Sequence, residues 1–457
     1  MKKENLYEAI GLINDEHVES LNKLRTKKKS NKSLYIKIIS VAACFCILFT
    51  AIILGLNSKS PIFDSMFVSV KAEDLMEGIT PQYVEAISLE DKNTFASDFA
   101  FKLLSSVNAD SENENILISP LSVICALSMT ANGADGETKE QIESVLGMSN
   151  DELNKYLYSY SSSLVTKNDV KINLANSIWF KDLPDFAVNR SFLQTNADYY
   201  GASVYKAPFD KSTLKDINNW VKKNTDGMIP EILDRIPEDA MMYLVNTLVF
   251  DGEWMDMYLE HQYEDGIFTL ENGSKEEVGY LVSEETEYLE TEKATGFIKY
   301  YKNARYAFAA LLPNEDVTVS ELLDSFDGET LAFAMENKKY YSVDVKLPKF
   351  KTEYSTELSE TLKKMGMSNA FEWNLADFSK MSNEKLFIGR VLHKTYIEVN
   401  ERGTRAGAAT AVEMNCGGMY IEGDKKEVYL DRPFVYMIID CNTNTPLFIG
   451  TMMNPNA

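Results

Sequence analysis

Side chains that could act as nucleophiles or general bases are few in this sequence of 457 residues. It contains three histidines, His17, His261 and His393. General-base and nucleophilic catalysis most often use a histidine held beside a serine or cysteine. The sequence has no GxSxG nucleophile elbow, no Walker-type phosphate loop and no HExxH metalloprotease motif. We therefore do not predict an enzyme, and a hydrolase that uses His393 is the remaining catalytic alternative.

Cysteine usage gives no sign of a metal centre or a disulfide framework. Three of the five cysteines, Cys125, Cys416 and Cys441, lie outside the first 60 residues, and none belongs to a CxxC or Cys/His cluster. We therefore predict no metal and no cofactor. Cys416 lies in a polar segment, where it is either simply tolerated or sensitive to oxidation. The formal net charge of −23 would repel phosphate, so we expect no nucleic-acid partner.

The first 73 residues divide into three segments of different composition. A basic arm spans residues 1–37, with seven Lys or Arg and no acidic residue from Lys23 to Lys37. An uncharged apolar run follows at 38–56, long enough to cross a bilayer as a helix, and then a polar linker at 57–73. Because flanking positive charge stays cytoplasmic, we predict a single-pass anchor with residues 74–457 outside the cell.

Two other interpretations of the apolar run are weaker. A cleaved signal peptide would begin earlier and end at a small-residue site, but the nearest such pattern, Val70–Ala72, lies too far away. A lipidation box is suggested by Val41–Cys44, yet its apolar run follows the cysteine instead of preceding it. We therefore favour an uncleaved signal anchor. A basic arm before an anchor, with few cysteines, is typical of a bacterial protein of the Gram-positive type.

The rest of the sequence predicts helices first and strands later. Apolar residues at helical spacing indicate helices at 94–107, 119–134 and 217–233. Ser119 could cap the second of these, with Pro120 at its first position and Gly133 near its end. Alternating or continuous apolar runs indicate strands at 173–180, 241–250, 306–313, 340–350, 396–399 and 428–439. This order predicts an α+β fold with large mixed sheets.

An unusually long segment, from Glu401 to Lys426, separates the last two of these strands. It begins with small residues and contains no proline, and a loop of this length in a compact domain tends to be functional or disordered. Its side chains alternate as they do in a strand. One set is uncharged: Thr404, Ala406, Ala408, Thr410, Val412 and Met414. The other set carries the charges: Arg405, Gly407, Ala409, Ala411, Glu413 and Asn415.

This alternation predicts a segment that can become a strand with its uncharged set buried. A shift of one residue would bury Arg405 and Glu413 instead, so the register is specified. Small residues at the start lower the barrier to parting two packed strands, and Gly403 adds backbone freedom at a hinge. A flexible Gly/Ala linker is the alternative, but the parity of the charges and the β-branched residues of the uncharged set favour a latent strand.

Several motifs occur in the order in which they occur in the serpins, and the chain resembles that family from about residue 74 to its end. The resemblance rests on six stretches: 115–142, 217–229, 244–254, 345–351, 392–411 and 432–455. It implies one domain of three β-sheets and eight or nine helices, with an exposed reactive loop at about 401–427.

Inhibitory serpins are suicide substrates, and the resemblance implies the same mechanism here. A protease attacks the reactive loop and forms an acyl-enzyme. The cut loop then inserts as a new strand into the largest sheet and drags the protease across the molecule. The active site of the protease is distorted and the ester stays unhydrolysed. Loop insertion of this kind combines strand addition with the release of stored strain.

The hinge at which insertion would begin matches the inhibitory pattern at most positions. The hinge residues are Glu401, Gly403, Thr404, Ala406, Gly407, Ala408, Ala409 and Thr410. There are two departures, because Arg405 replaces a residue that is usually acidic and Gly407 stands where alanine is more common. Arg405 belongs to the charged set, so we expect a small effect, and Gly407 should lower strand propensity slightly. Neither resembles the bulky or proline-rich hinges of non-inhibitory serpins.

The bond that a protease would cut is left open by the resemblance. Counting forward from Glu401 at the usual spacing gives residues 417–418, whereas counting back from Pro433 gives residues 422–423. The candidates at the cut are therefore Gly417, Gly418, Met419, Tyr420 and Glu422. Met or Tyr would suit a subtilisin-like or chymotrypsin-like protease, and the glycines would suit a papain-like or broad-specificity protease.

Two supporting sites are also implied by the resemblance. The polar cluster beneath the strands that must part, the shutter, corresponds to Ser119, Ser122, Asn246 and His393. Its hydrogen-bonding groups must be satisfied before and after insertion. The breach, where the loop first enters the sheet, corresponds to Trp254 together with Glu401.

With the anchor, the sequence predicts a monomeric, extracellular inhibitor on the cell membrane that acts on a subtilisin-like, chymotrypsin-like or papain-like endopeptidase. The alternative is a non-inhibitory serpin that serves as a membrane-anchored binding module or sensor, with Ile10–Leu21 as a short cytoplasmic helix. A hydrolase using His393 would be a different class of protein, and no motif supports it.

Overall fold

The computed structural model describes residues 71–89, 94–111, 113–164, 170–184, 186–238, 240–404 and 425–457. The basic arm, the apolar run at 38–56, most of the linker and the loop residues 405–424 lie outside these ranges, and so do the predictions made for them. Within the described ranges, no helix is long and apolar enough to cross a membrane.

The part of the chain that the structure describes contains nine α-helices. They are α1 (Phe95–Ala109), α2 (Pro120–Ala131), α3 (Gly136–Leu146), α4 (Asn150–Ser163), α5 (Arg190–Tyr200), α6 (Lys211–Asn224), α7 (Val319–Leu323), α8 (Gly328–Glu336) and α9 (Ser359–Lys364). Six of them precede residue 225, so most of the helices come early in the chain as the apolar spacing predicts. Every residue of α2 is buried, which places this helix at the centre of the core.

Sixteen strands are described in the same ranges. They are β1 (Glu73–Asp74), β2 (Ile116–Ile118), β3 (Val170–Lys181), β4 (Ser203–Ala207), β5 (Met242–Glu253), β6 (Tyr263–Thr269), β7 (Lys275–Glu290), β8 (Ala294–Tyr300), β9 (Tyr306–Pro313), β10 (Lys339–Pro348), β11 (Phe350–Glu357), β12 (Arg390–Asn400), β13 (Gly403–Thr404), β14 (Lys426–Tyr429), β15 (Phe434–Asp440) and β16 (Thr445–Met452). Seven form the main sheet, in the order β1-β4-β3-β5-β13-β12-β11, and nine form a second sheet.

Two of the three sheets implied by the resemblance are joined in this structure. The second sheet runs β14-β10-β7-β8-β9-β15-β16-β2, and β6 adds to it by pairing with β7. β7 is 16 residues long, and its first half pairs with β6 while its last residues pair with β8. One continuous strand therefore links two groups of strands that the resemblance treats as separate sheets.

Helix α2 begins where the sequence predicts, but Ser119 does not cap it. The Ser119 hydroxyl donates to Ser122 Oγ (3.0 Å) and forms no capping hydrogen bond. Pro120 occupies the first turn as expected. Gly133 follows the last residues of the helix, and a Cβ there would lie 2.6 Å from Met381 Cβ. Close packing therefore accounts for this glycine.

Helix α6 is displaced toward the N-terminus relative to the helix predicted at 217–233. It starts earlier because the Asp210 carboxylate accepts from the backbone N–H groups of Ser212 and Thr213. It ends before Gly227, whose φ of 78° stops helical propagation. The chain then runs on to Leu233 without helix. The strand predicted at 428–439 is likewise two strands, because 430–433, which includes Pro433, interrupts it.

Helix α6 and the segment that follows it cover part of the main sheet. Their apolar residues, Ile217, Trp220, Val221, Ile229 and Leu233, form a buried cluster with Tyr243 and Val245 of β5 and Leu392 of β12. A second attachment comes from the N-terminal segment, since the Asp216 carboxylate of α6 accepts from the backbone N–H groups of Lys71 and Ala72 (3.0 and 2.8 Å). The cover therefore lies over one end of the β5–β12 pair.

Candidate functional site

The first residues of the long loop already lie between β5 and β12. Thr404 of β13 lies level with Val399 of β12 and with Gly252 of β5, and β13 is antiparallel to both strands. Residues 405–424, which follow it, lie outside the described part of the chain. The described base of the loop thus forms the start of an additional central strand.

At their other end, β5 and β12 pair directly and in parallel. Arg390 lies level with Tyr243 there, as Val399 lies level with Gly252 at the β13 end. From 390 to 399 in β12 and from 243 to 252 in β5 the two strands advance by the same nine positions. The two strands therefore keep one common register along this whole stretch, which we call the opening. A strand placed between them requires lateral separation of β5 and β12 but no sliding.

Thr404 is held at the buried face of the main sheet. Its side chain is 1% exposed, and its Oγ1 forms a hydrogen bond with the hydroxyl of Tyr301. The Tyr301 ring stacks on Trp254, with 4.6 Å between ring centroids and 13° between planes. A polar side chain of this size is thereby satisfied in the core by a single aromatic partner.

Gly403 permits the close approach of three backbone segments. A Cβ at this position would lie 2.0 Å from the carbonyl oxygen of Gly252 and 2.9 Å from the Cα of Glu253. Both are backbone atoms of β5 and cannot rotate away. The sequence suggests a hinge role for Gly403 based on backbone freedom, and the structure adds a steric requirement for glycine.

Trp254 fixes the turn that leads from β12 into β13. Its indole N–H donates to the carbonyl oxygen of Asn400 (2.9 Å), and its backbone N–H donates to that of Arg402 (2.8 Å). The ring is fully buried. The ammonium group of Lys299 lies 5.8 Å from its centroid and forms an ion pair with Glu285 (2.7 Å). The residue matched to the breach therefore holds the base of the loop through its backbone carbonyls.

Glu401 is fixed by its backbone and by its carboxylate. Its carbonyl oxygen accepts from the backbone N–H of Tyr258 (3.0 Å), and its carboxylate pairs with Lys349. Burial opposes ionisation of Glu401, but the hydrogen bond and positive charge of Lys349 prevail and lower its pKa below the ordinary value. Glu401 therefore anchors the loop base two residues before Gly403, where β13 begins.

The structure brings together three of the four residues matched to the shutter. His393 Nε2 accepts from the backbone N–H of Ser119 (3.0 Å), and Ser119 donates through its hydroxyl to Ser122. Asn246 instead donates to Asn176 Oδ1 of β3 (2.9 Å). Continuing the β5–β12 register by one residue places Asn246 level with His393. The two side chains thus belong to the same level and the same face of the opening.

The sequence alone did not predict two residues of the site. Tyr301, which binds Thr404, is one aromatic residue among many in a turn of the second sheet. Asn176 could have been noticed, since it is a polar residue inside the apolar run at 173–180 and is 6% exposed. No group of acidic, histidine or cysteine side chains that could hold a metal occurs in the described residues.

The fold and this opening define a protein of the serpin type, and comparison with known proteins agrees. The pattern of the family described as Serpin (serine protease inhibitor) matches residues 94–455. Serpin B10 of Bos taurus is 30% identical over 401 residues, covering 79% of this chain and 98% of that protein. Serpin-ZX of Arabidopsis thaliana is 30% identical over 393 residues, covering 81% and 98%.

Solved structures give the same result. The thermophilic serpin tengpin in its native state is 43% identical, covers 84% of this chain and 100% of its own, and has a TM-score of 0.79. Tengpin in its latent state is 42% identical, with a TM-score of 0.70. The chain belongs to the serpin family, whose members are mostly protease inhibitors and include non-inhibitory proteins.

Replacing Gly403 by alanine should displace β13 from the opening, because the new methyl group would overlap the backbone of β5. We expect Gly403→Ala to lower the free energy of unfolding of the intact protein by about 1–3 kcal/mol, measured by urea denaturation. Gly407→Ala is the control, because alanine is common there in the family. Equal unfolding free energies for Gly403→Ala and the wild type would contradict the close packing.

His393 should make the intact protein less stable in mild acid. Burial lowers its folded-state pKa to about 4, below the unfolded value of about 6.5. Between these two pH values the unfolded chain binds a proton that the folded chain does not. The contribution of neutral His393 to the free energy of unfolding is therefore complete above pH 6.5. It is lost as the pH falls toward 4, by up to about 1.4 kcal/mol per pH unit.

This pH dependence can be assigned with two variants. His393→Gln should have a shallower loss of unfolding free energy between pH 6.5 and pH 4 than the wild type, and His261→Gln should behave as the wild type. If His393→Gln keeps the full slope, the acid sensitivity belongs to other groups.

Proposed function

We propose that this serpin inhibits an endopeptidase as a suicide substrate, and that its cut loop inserts between β5 and β12. The observation that carries the proposal is the position of β13, which already pairs antiparallel with two strands that are parallel to each other. An antiparallel strand can satisfy both neighbouring edges along their whole length. Extending β13 by further loop residues would complete the main sheet.

The driving force for this extension is the burial of backbone and of small side chains. Continuing the register of Thr404 places Glu413 level with Arg390, so residues 404–413 would fill the opening. The even-numbered members would lie on the face of Val391, His393, Thr395 and Ile397, all of which are buried. The intact protein is then a kinetically trapped state whose inserted form is more stable.

All of the candidate cleavage positions lie after this strand-forming segment. Each cut at Gly417, Gly418, Met419, Tyr420 or Glu422 would leave residues 404–413 attached to the body of the protein. Insertion is therefore compatible with a serine protease that prefers Met or Tyr and with a cysteine protease that accepts Gly. We favour a serine-type target, because Met419 and Tyr420 lie between the two positions obtained by counting.

Incubation with a subtilisin-like and, separately, a papain-like protease tests the inhibitory function. We expect an SDS-stable complex with at least one of them, and the mass of the released C-terminal peptide identifies the cut bond. Thr404→Arg should convert the inhibitor into a substrate, because the guanidinium would replace a buried hydroxyl bonded to Tyr301. We expect the stoichiometry of inhibition to rise at least about tenfold, the equivalent of 1.4 kcal/mol.

Gly407→Arg is the matched control, because the same side chain enters the charged set and would face away from the core. It should remain an inhibitor. Undiminished inhibition by Thr404→Arg would contradict the insertion mechanism. Absence of a complex with any protease, although the loop is cut, would favour the alternative of a non-inhibitory binding module or sensor.

We also propose that the serpin domain is held outside a bacterial cell by a membrane anchor at residues 38–56. The proposal is supported by the uncharged run of 19 residues and the seven basic residues before it. The full chain should stay with membranes after a carbonate wash, whereas a variant lacking residues 38–56 should be soluble. External protease should reach the serpin domain of intact cells. Release of the full chain by carbonate would refute the anchor.

A further inference from the structure

Both described ends of the loop meet one continuous surface of the second sheet. This surface consists of residues 255–263 and of the solvent face of β6, β7, β10 and β14, and we call it the sheet contact surface. We propose that it is a second contact site for the target endopeptidase and selects a protease with basic side chains beside its active-site cleft. This inference rests on the proposed inhibitory function and adds a property of the partner.

The first end of the loop borders residues 255–263. The backbone N–H of Tyr258 donates to the carbonyl oxygen of Glu401 (3.0 Å). Lys349, which pairs with the Glu401 carboxylate, has its Nζ atom 5.5 Å from the centroid of the Tyr263 ring. The residues that anchor the loop base are therefore also in contact with the sheet contact surface.

The other end of the loop leads into β14, which pairs with β10 from Lys426 to Tyr429. Lys346 of β10 has its Nζ atom 4.8 Å from the centroid of the Tyr429 ring and forms an ion pair with Glu264 of β6 (2.6 Å). Contacts therefore run from β14 across the sheet to β6. A protease that holds the loop between its two ends is tethered near this surface, so even a weak second contact strengthens its capture.

Exposed apolar side chains are concentrated in residues 255–263. Met255, Leu259 and Tyr263 are 44%, 45% and 44% exposed, and they are three of the ten exposed large apolar side chains among the described residues. A single exposed apolar residue needs no explanation, but a group of them within one short segment indicates a surface that a partner covers. Aromatic residues and methionine are also enriched where proteins bind each other.

The solvent face beside this segment carries a row of acidic residues. Glu284 of β7, Asp344 of β10 and Glu427 of β14 lie level with one another across three adjacent strands. Side chains at one level share a face, and like charges there oppose strand pairing. Compensation within the described residues is incomplete: Lys425 pairs with Asp344 (2.7 Å), whereas Glu284 accepts from the neutral Ser342 hydroxyl (2.7 Å).

The nearby pair of Glu264 and Lys346 adds one charge of each sign. The face then carries four carboxylates, on Glu264, Glu284, Asp344 and Glu427, and two ammonium groups, on Lys346 and Lys425. Its formal charge is therefore negative by two. Complementary charge at an interface steers the encounter of the partners and favours a basic one.

A cavity of about 360 Å³ lies among these groups. Its charged lining residues include Glu264, Glu284, Asp344 and Lys346, and Val282 and Tyr429 add apolar surface. A cavity of this kind suits an arginine or lysine side chain, whose methylene groups pack on apolar surface while its charged end binds carboxylates. The charge, the apolar segment and the two loop ends thus indicate one occupant, a protease with a basic rim.

Charge reversal tests the sheet contact surface in the full chain. The measured quantity is the second-order rate constant for attack on the loop by chymotrypsin, a cationic protease, or by papain, which is also cationic. Glu284→Lys/Glu427→Lys should lower this rate constant about tenfold at low ionic strength. Added salt should remove most of the difference. Chymotrypsin with acetylated lysines should attack the wild type and this double variant at similar rates.

Glu140→Lys/Glu384→Lys is the matched control, because it makes the same change in net charge at two exposed positions outside this surface. It should lower the rate constant by less than about twofold, since distant exposed charges are screened. The stoichiometry of inhibition should be the same for both double variants and the wild type, because the sheet contact surface takes no part in insertion.

The apolar part of the surface has its own test. Leu259→Ser should lower the rate constant about threefold at low and at high salt, because apolar contact is lost instead of charge. Phe333→Ser is the control, since Phe333 of α8 is 65% exposed and lies outside the sheet contact surface. It should leave the rate constant unchanged.

The outcomes separate this surface from the inhibitory function. If no protease forms a stable complex, the inhibitory function fails and the contact surface fails with it. If subtilisin is inhibited but neither cationic protease attacks the loop, inhibition stands and the contact surface is overturned. It is also overturned if Glu284→Lys/Glu427→Lys slows attack no more than Glu140→Lys/Glu384→Lys, or if it changes only the stoichiometry.

Discussion

The structure depends on the separation of β5 and β12 at one end of the main sheet. Thr404 holds them apart there, because its side chain is bonded to Tyr301 and its backbone pairs with both strands. Trp254 supports Thr404 in two ways. Its ring stacks on Tyr301, and its N–H groups donate to the carbonyl oxygens of Asn400 and Arg402 in the preceding turn. The sheet is thus started but not completed, and its unused pairing capacity is the store of free energy on which the proposed function relies.

The polar residues beneath the opening are arranged so that few of them need new partners when strands part. His393 binds a backbone N–H of the segment before α2, and Asn246 binds Asn176 on the opposite side of β5. Neither bond crosses from β5 to β12. Separation of the two strands at this level would therefore leave both side chains satisfied, which keeps the barrier to insertion free of a desolvation cost.

The sequence predicted local features better than relations between distant strands. The buried strand at 306–313 was obtained to the residue, because β9 is apolar throughout and ends at a proline. The alternation of charged and uncharged side chains in the loop is visible in the sequence alone. The hydrogen bond between Tyr301 and Thr404, by contrast, joins residues that are 103 positions apart in the chain. No local pattern specifies a contact of this kind, so the sequence alone did not predict Tyr301 as a partner of the loop base.

If the proposed insertion takes place, the cover formed by α6 lies over the place that Ala411 would occupy. Ala411 would arrive level with Val245 and Leu392, the two residues against which the apolar cluster of α6 packs. In that state the inserted strand would lie beneath the cluster, so the cover would have to move away and then return over the new residue. A methyl group at 411 occupies the least volume that still buries apolar surface there, whereas a larger side chain would keep the cover displaced. Under the proposed insertion, the same alternation would therefore serve two neighbours: core packing would favour the even-numbered residues, and the returning cover would favour a small residue at 411.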